Sequence, residues 1–173
     1  MRTLFIFSVF ALAASFNRLS AQNQPAVRTA NQPKKVIPAK DGSLLLSAGV
    51  GKGVGPKIAY MPEESAFGWF TAADKVEWDV EVSNPGKYTV YLEWAVDDSE
   101  AGKPFILETK GQQLRGTVNK TGSWQSFKTK NIGVINLSEG TYKLVFRPAS
   151  KFKTVGDKGA LLDLRGLKLV PVK

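Results

Sequence analysis

The sequence predicts an all-β protein, an antiparallel sandwich of two sheets, and three observations carry that expectation. Apolar and polar residues alternate over short runs, most strictly in VEWDVEV at 76–82, where Val76, Trp78, Val80 and Val82 share one face and Glu77, Asp79 and Glu81 the other. Clusters of Gly, Pro, Ser and Asn punctuate these runs. No convincing helical spacing appears after the first residues, so about eight or nine short strands with frequent turns remain, the pattern of a sandwich.

The elements follow in order. Residues 1–21 carry a basic Arg2, an apolar run from Leu4 to Ala14 and small residues at Ser20 and Ala21, which together read as a secretory signal peptide cleaved after Ala21, with Ser15 as the second option. The run is too short to span a bilayer, no later segment is long and apolar enough to do so, and no Cys offers a lipid anchor. A secreted or periplasmic chain without membrane insertion is expected. Residues 22–40 are polar, contain three prolines and lack an apolar period, so they read as a flexible linker before a single domain at 41–173.

Within the domain, SLLLSA reads as a short strand, and GVGKGVGP, lacking the phosphate-loop pattern, as an irregular loop. VEWDVEV and KYTVYLEWAV, joined by SNPG, read as an antiparallel hairpin. PFILETKGQQLRGTV reads as a second hairpin, turning at Lys110-Gly111, and residues 122–129 as a strand. Gly140, Tyr142, Leu144 and Phe146 then repeat the plan of Gly86, Tyr88, Val90 and Leu92. In ALLDLRGLKLVPV the apolar phase shifts between Leu164 and Leu167, and a bulge near Gly166 keeps both halves inside.

Composition removes most chemistry. Without His or Cys, Ser-His-Asp and Cys-His catalysis and the usual zinc sites are excluded. Carboxylate pairs remain (Glu63 with Glu64, the group Asp97, Asp98 and Glu100, and Asp163), but a catalytic pair needs one member desolvated, and these lie in polar surroundings that suit turn formers. No enzyme, no catalytic residue and no metal site is therefore expected. Formal charge is +9, yet six of the 24 basic residues and none of the 15 acidic ones precede Asp41, leaving the domain at +3. That excess is an ordinary solvated surface and argues against a nucleic-acid partner. Basic residues do crowd 128–158, seven against two acidic, which leaves attraction to an anionic polysaccharide open.

The aromatic residues raise the functional question. If 122–129 is a strand with Phe127 inward, Trp124 points outward with Ser126 and Lys128; alternatively Trp124 folds over the edge of the core. AFGWFTAAD places Phe67, Trp69 and Phe70 just before a strand, with Phe67 or Phe70 expected to cap the core. Two exposed rings on loops would form a platform for the C–H faces of a sugar.

DKVEWDVEVSNPGKYTVYLEWAV, TGSWQSF, INLSEGTYKLVF and LLDLRGLKL together resemble the family 6 and family 35 carbohydrate-binding modules, within the galactose-binding-like jelly-roll group, over roughly residues 43–172. The resemblance implies a jelly-roll sandwich without catalysis or cofactor, gripping glycan between an aromatic ring ahead of the first long strand, here Trp69, and one on the T-G-x-W turn, here Trp124. Phe67, Asp97, Asp98 and Gln125 complete the candidate carbohydrate-binding set. Three departures stand out. The position of a sugar-bonding Asn holds Leu161, that of an aromatic residue holds Lys75, and the first-strand glutamates that help hold a structural calcium have no counterpart in SLLLSAGV. An interaction or adhesion module that binds a partner protein or enzyme through the same fold is the alternative.

Overall fold

The computed structural model describes residues 31–153 and 159–173. The predicted signal peptide and residues 22–30 of the predicted linker lie outside them. Eleven strands form among the described residues: β1 (Leu44–Ser47), β2 (Lys52–Val54), β3 (Ala59–Met61), β4 (Ala66–Gly68), β5 (Lys75–Val82), β6 (Gly86–Ala95), β7 (Pro104–Thr109), β8 (Gln112–Thr117), β9 (Lys128–Leu137), β10 (Gly140–Pro148) and β11 (Asp163–Pro171). One sheet runs β2-β5-β10-β7-β8; the other runs β3-β4-β11-β6-β9, with β1 also paired to β11. All strand pairings are antiparallel, and the two sheets enclose one core, the expected sandwich with jelly-roll arrangement.

The alternating runs place the core as read. Val76, Trp78, Val80 and Val82 are buried from β5, and Tyr88, Val90, Leu92 and Trp94 from β6. Phe146 joins the sheets' aromatic layer, 5.1 Å from Phe105 and 6.0 Å from Phe70, ring to ring. Each such side chain contributes roughly 1.5–3 kcal/mol by leaving water. The indole N–H of buried Trp78 donates to the Ser47 carbonyl at 2.9 Å, which removes the cost of burying a polar group. The outward faces carry ions instead: Lys143 pairs with Asp79 at 2.8 Å, and Arg147 grips both oxygens of Glu108 at 2.7 and 2.9 Å.

The β5–β6 hairpin is not formed. β5 pairs with β2 and β10, whereas β6 pairs with β9 and β11, so SNPG carries the chain from one sheet to the other. The repeated plan at Gly140-Tyr142 is a second such crossover, between β9 and β10. Both tyrosines lock the turn before them: Tyr88 donates its hydroxyl to the Asn84 carbonyl at 2.6 Å, and Tyr142 donates to Ser138 at 2.8 Å. The preceding glycines, Gly86 and Gly140, take φ of 146° and 129°, backbone that a side chain disfavours.

Three further boundaries differ from expectation. Residues 32–40 are not a free linker: Val36 bridges Val80 of β5, exchanges hydrogen bonds of 2.8 Å with Asp79 and Glu81, and is 6% exposed. Its side chain seals the core while the adjacent Ile37 is exposed, and two neighbouring apolar residues make no period. Within GVGKGVGP, Lys52–Val54 pairs with β5 as an edge strand. Residues 122–127 are a turn, and the strand starts only at Lys128. Two expectations hold, the second hairpin and the bulge. β7 and β8 pair with Thr109 opposite Gln112, closing the hairpin at Lys110-Gly111, and the β6–β11 register slips between Leu164 and Gly166. A Cβ on Gly166 would sit 2.3 Å from the Leu46 carbonyl oxygen, so the bulge requires glycine there.

Candidate functional site

One end of the sandwich gathers the predicted residues. β4 and β6 end there, and β9 and β11 begin there. Trp69 directly follows β4, is 55% exposed and holds φ of 51°, a left-handed conformation that bulky residues avoid. Its neighbours explain how it is held. Phe67 and Phe70 are both buried, and the Phe70 carbonyl accepts from the Leu161 amide at 2.7 Å. Beyond them, Asp74 closes the loop: one carboxylate oxygen accepts from the amide and hydroxyl of Thr71, each at 2.7 Å, and the other from the Lys57 amide at 3.2 Å. The chain pins inward on both sides of Trp69, so the indole has only solvent to enter. Phe67, included among the sugar-contacting candidates, is instead a core residue, 2% exposed with its ring edge-on to Tyr60 at 5.7 Å.

The T-G-x-W turn is stitched to the end of β6. Trp94 donates its indole N–H to the Asn119 carbonyl at 3.0 Å. The Thr121 hydroxyl accepts from the Val96 amide at 2.8 Å and lies 2.9 Å from the Val96 carbonyl. Asp98 accepts from the Gly122 amide at 2.9 Å, and Asp97 bridges Gly122 through the backbone. Trp124 is half-buried, with part of its ring packed on the core, while Gln125 is exposed. The ring of Phe127 is capped by the Arg165 guanidinium at 3.6 Å, a cation–π contact. Across this end the order is Trp69, then Asp163 of β11, then Ala95 of β6, then the turn. At about 4.8 Å per strand spacing, the backbones bearing Trp69 and Trp124 stand roughly 15 Å apart. Trp69, Trp124, Asp97, Asp98 and Gln125 therefore share one rim.

The carboxylates of the rim have local tasks. Asp97 accepts from the amide and hydroxyl of Ser99 at 2.9 and 2.6 Å, bonds that hold its carboxyl below the usual range. Asp163 differs: it is 9% exposed, with no hydrogen-bond or ion-pair partner among the described residues. Burial, with the Glu64 charge nearby, pushes its carboxyl up to about 7. Leu161 is wholly buried, so the position that holds a sugar-bonding Asn in the resembling families contributes only to the core. Calcium does not fit at β1 either: Leu44 and Leu46 are buried, Leu45 is exposed, and no oxygen-bearing acid stands among them. No group of three acidic, His or Cys side chains that could hold a metal occurs among the described residues.

A sizeable concavity lies elsewhere. A groove of about 660 Å³ runs over the outer face of the sheet containing β11, lined by Leu45, Tyr91, Glu93, Thr129, Arg165 and Val170 among others. Sequence reading missed it because its residues come from the wet phase of four strands. The exposed Leu45, flanked by two buried leucines in SLLLSA, was its one visible signal.

No family model matches this sequence, and no curated protein is significantly similar to it. Solved structures do match. A family 35 carbohydrate-binding module from Clostridium thermocellum aligns with a TM-score of 0.58 at 16% identity, covering 75% of this chain and 98% of that one. The C-terminal family 6 module of a marine laminarinase from Zobellia galactanivorans gives 0.57 at 18%, covering 74% and 98%. An exo-β-1,3-galactanase from Phanerochaete chrysosporium gives 0.56 at 19%, covering 74% of this chain but 29% of the enzyme.

Proposed function

We propose that this chain, which has the fold of the family 6 and family 35 carbohydrate-binding modules, is an exported, non-catalytic module that grips glycan at the loop end between Trp69 and Trp124. The observation that carries the reading is Trp69, a large apolar ring more than half exposed and kept in a left-handed conformation. Strain of about 1–3 kcal/mol at a bulky side chain persists where something is gained from its placement. A sugar stacked on this ring, against the exposed part of Trp124, is that gain. Gln125 and the free oxygens of Asp97 and Asp98 accept and donate to hydroxyls at the rim. Such a contact set gives weak binding, on the order of micromolar to millimolar, because stacking has to offset immobilisation of the ligand.

The N-terminal leader motivates export, and the absence of His and Cys, with rim carboxylates engaged in loop bonds, motivates the lack of catalysis. Buried Leu161 favours the second reading, a partner-docking module that has given up sugar. Titration of a polysaccharide panel with the wild type, Trp69→Ala, Trp124→Ala, the double Trp69→Ala/Trp124→Ala variant and the groove variant Tyr91→Ala separates these readings. Binding lost with either tryptophan and kept with Tyr91→Ala supports the proposal. Binding that survives the double tryptophan change removes it, and silence on the whole panel leaves the docking module.

A further inference from the structure

No acidic residue occurs between Glu108 and Glu139, a stretch that holds five basic ones. This stretch builds β8 and β9, the outer strands of the two sheets, and the turn that carries Trp124 between them. The strands meet edge to edge, as a Cβ placed on Gly133 would lie 2.7 Å from Leu114. Lys120 and Lys128 lie four residues to either side of Trp124. In register, Lys128 opposes Trp94 and Lys130 opposes Leu92, whose side chains enter the core, yet both lysines are exposed. They therefore stand along the open margin between the sheets. None of Lys120, Lys128 and Lys130 has an ion pair or hydrogen bond with a described residue, and Arg115 of β8 bonds only Gln113. The acids on the neighbouring strands are engaged elsewhere: Glu108 of β7 by Arg147, and Glu93 of β6, which lies opposite Thr129, by Arg165. Asp97 and Asp98, across the turn, each give an oxygen to a loop amide.

Lysines on an edge strand also discourage edge-to-edge pairing of sheets. That role accounts for Lys128 and Lys130, but not for Lys120 in a turn, nor for the missing carboxylates on β8, the turn and β9 alike. Elsewhere Lys35, Lys75, Lys103, Lys143, Arg147 and Arg165 have acidic partners, whereas the side chains of Lys57, Lys87 and Lys153, scattered singly, make no ion pair or hydrogen bond with a described residue. We propose that the β8–β9 margin is a contact surface for an anionic polysaccharide, whose chain passes from the Trp124 turn along Lys128 and Lys130 with Lys120 at its side. This rests on the glycan reading above and narrows its ligand to a carboxylated or sulfated chain. Exposed charges act over about a Debye length, near 10 Å at 0.1 M salt, so a repeating anion gains from several lysines at once.

The experiment uses the purified full chain in affinity electrophoresis and calorimetry against polygalacturonate, a sulfated galactan, neutral β-1,3-glucan and single-stranded DNA, at low and high salt. The expected result is binding of at least one anionic polysaccharide about tenfold tighter than the neutral glucan at low salt, with the preference lost at high salt. The two anionic arms tell whether carboxylate or sulfate is preferred. Lys128→Gln with Lys130→Gln is expected to weaken the anionic polymer about tenfold with unchanged Tm, and Lys→Arg at both positions to retain it. Equal, salt-insensitive binding of neutral and anionic glycans overturns this inference and leaves the tryptophan site standing. DNA bound as tightly as the polysaccharide overturns it as general polyanion attraction. Binding of no polysaccharide, in any variant, overturns the glycan reading itself.

Discussion

The hydroxyl of Thr121 lies 2.8 Å from the amide nitrogen and 2.9 Å from the carbonyl oxygen of Val96, satisfying the main chain where β6 ends. Thr121 is 3% exposed, so no water can take over. Thr121→Val keeps the shape and strands these groups, at a cost of about 1–3 kcal/mol. Urea unfolding is expected to show that loss, and Thr121→Ser to recover most of it. Ligand affinity falls with Thr121→Val because the turn bearing Trp124 is no longer anchored.

Trp69 and Trp124 separate stability from binding. Trp69→Gly relieves the left-handed strain while giving up little packing, so stability is expected to hold or rise by up to about 1 kcal/mol as binding disappears. Trp124→Ala removes a ring partly packed on the core and is expected to lose about 1–2 kcal/mol along with binding. Thermal unfolding and calorimetry on the two variants read both quantities.

Asp163 makes the fold sensitive to pH. Its folded carboxyl titrates at about 7, above the ordinary 3.8, so between these values the folded state holds a proton that the unfolded state has released. Stability from this group is therefore greatest below pH 3.8, declines as pH rises towards 7 and levels off above it. Each unit of difference corresponds to about 1.4 kcal/mol at most. Asp163→Asn is expected to flatten the Tm profile across this window and to raise Tm at pH 8. An unchanged profile contradicts the assignment.

Tyr88 and Tyr142 test the two crossovers. Asn84 and Ser138 are both exposed, but the Tyr88 ring is fully buried and Tyr142 only half-buried, so Tyr88→Phe is expected to cost about 1 kcal/mol, more than Tyr142→Phe, whose bond already lies in water. Guanidinium midpoints of the two variants give the comparison directly.

The buried faces of β5, β6 and β10 were legible from alternation, because the side-chain period of a strand does not depend on its partner. Pairing was not. Val82 and Tyr88 face the same core whether SNPG closes a hairpin or crosses between sheets, so the pattern cannot distinguish the two. The Gly-Tyr repeat held the missing information, since only a turn that reverses onto the other sheet uses the tyrosine hydroxyl in this way here. Val36 was invisible for a different reason: an adjacent pair, Val36 and Ile37, among prolines and lysines has no period and does not show which of the two is buried. At the rim, Trp69 was legible from its place between two phenylalanines, but Phe67 and Phe70 could be told apart from it only by the fold. Trp124 was misassigned to a strand because Thr, Ser and Phe suit strands and turns alike. The groove over β11 was hidden, as wet-phase residues carry no signal of concavity.

The Val172 amide donates to the Lys87 carbonyl at 2.8 Å, fixing the last residues beside the start of β6, whereas the aromatic rim stands where that strand finishes. The intervening strand length is roughly 25 Å at 3.3 Å per residue. A tether joined after Lys173 would thus leave from the pole opposite the tryptophans, and a chip, a bead or a neighbouring protein attached there would present both rings outward without crowding them.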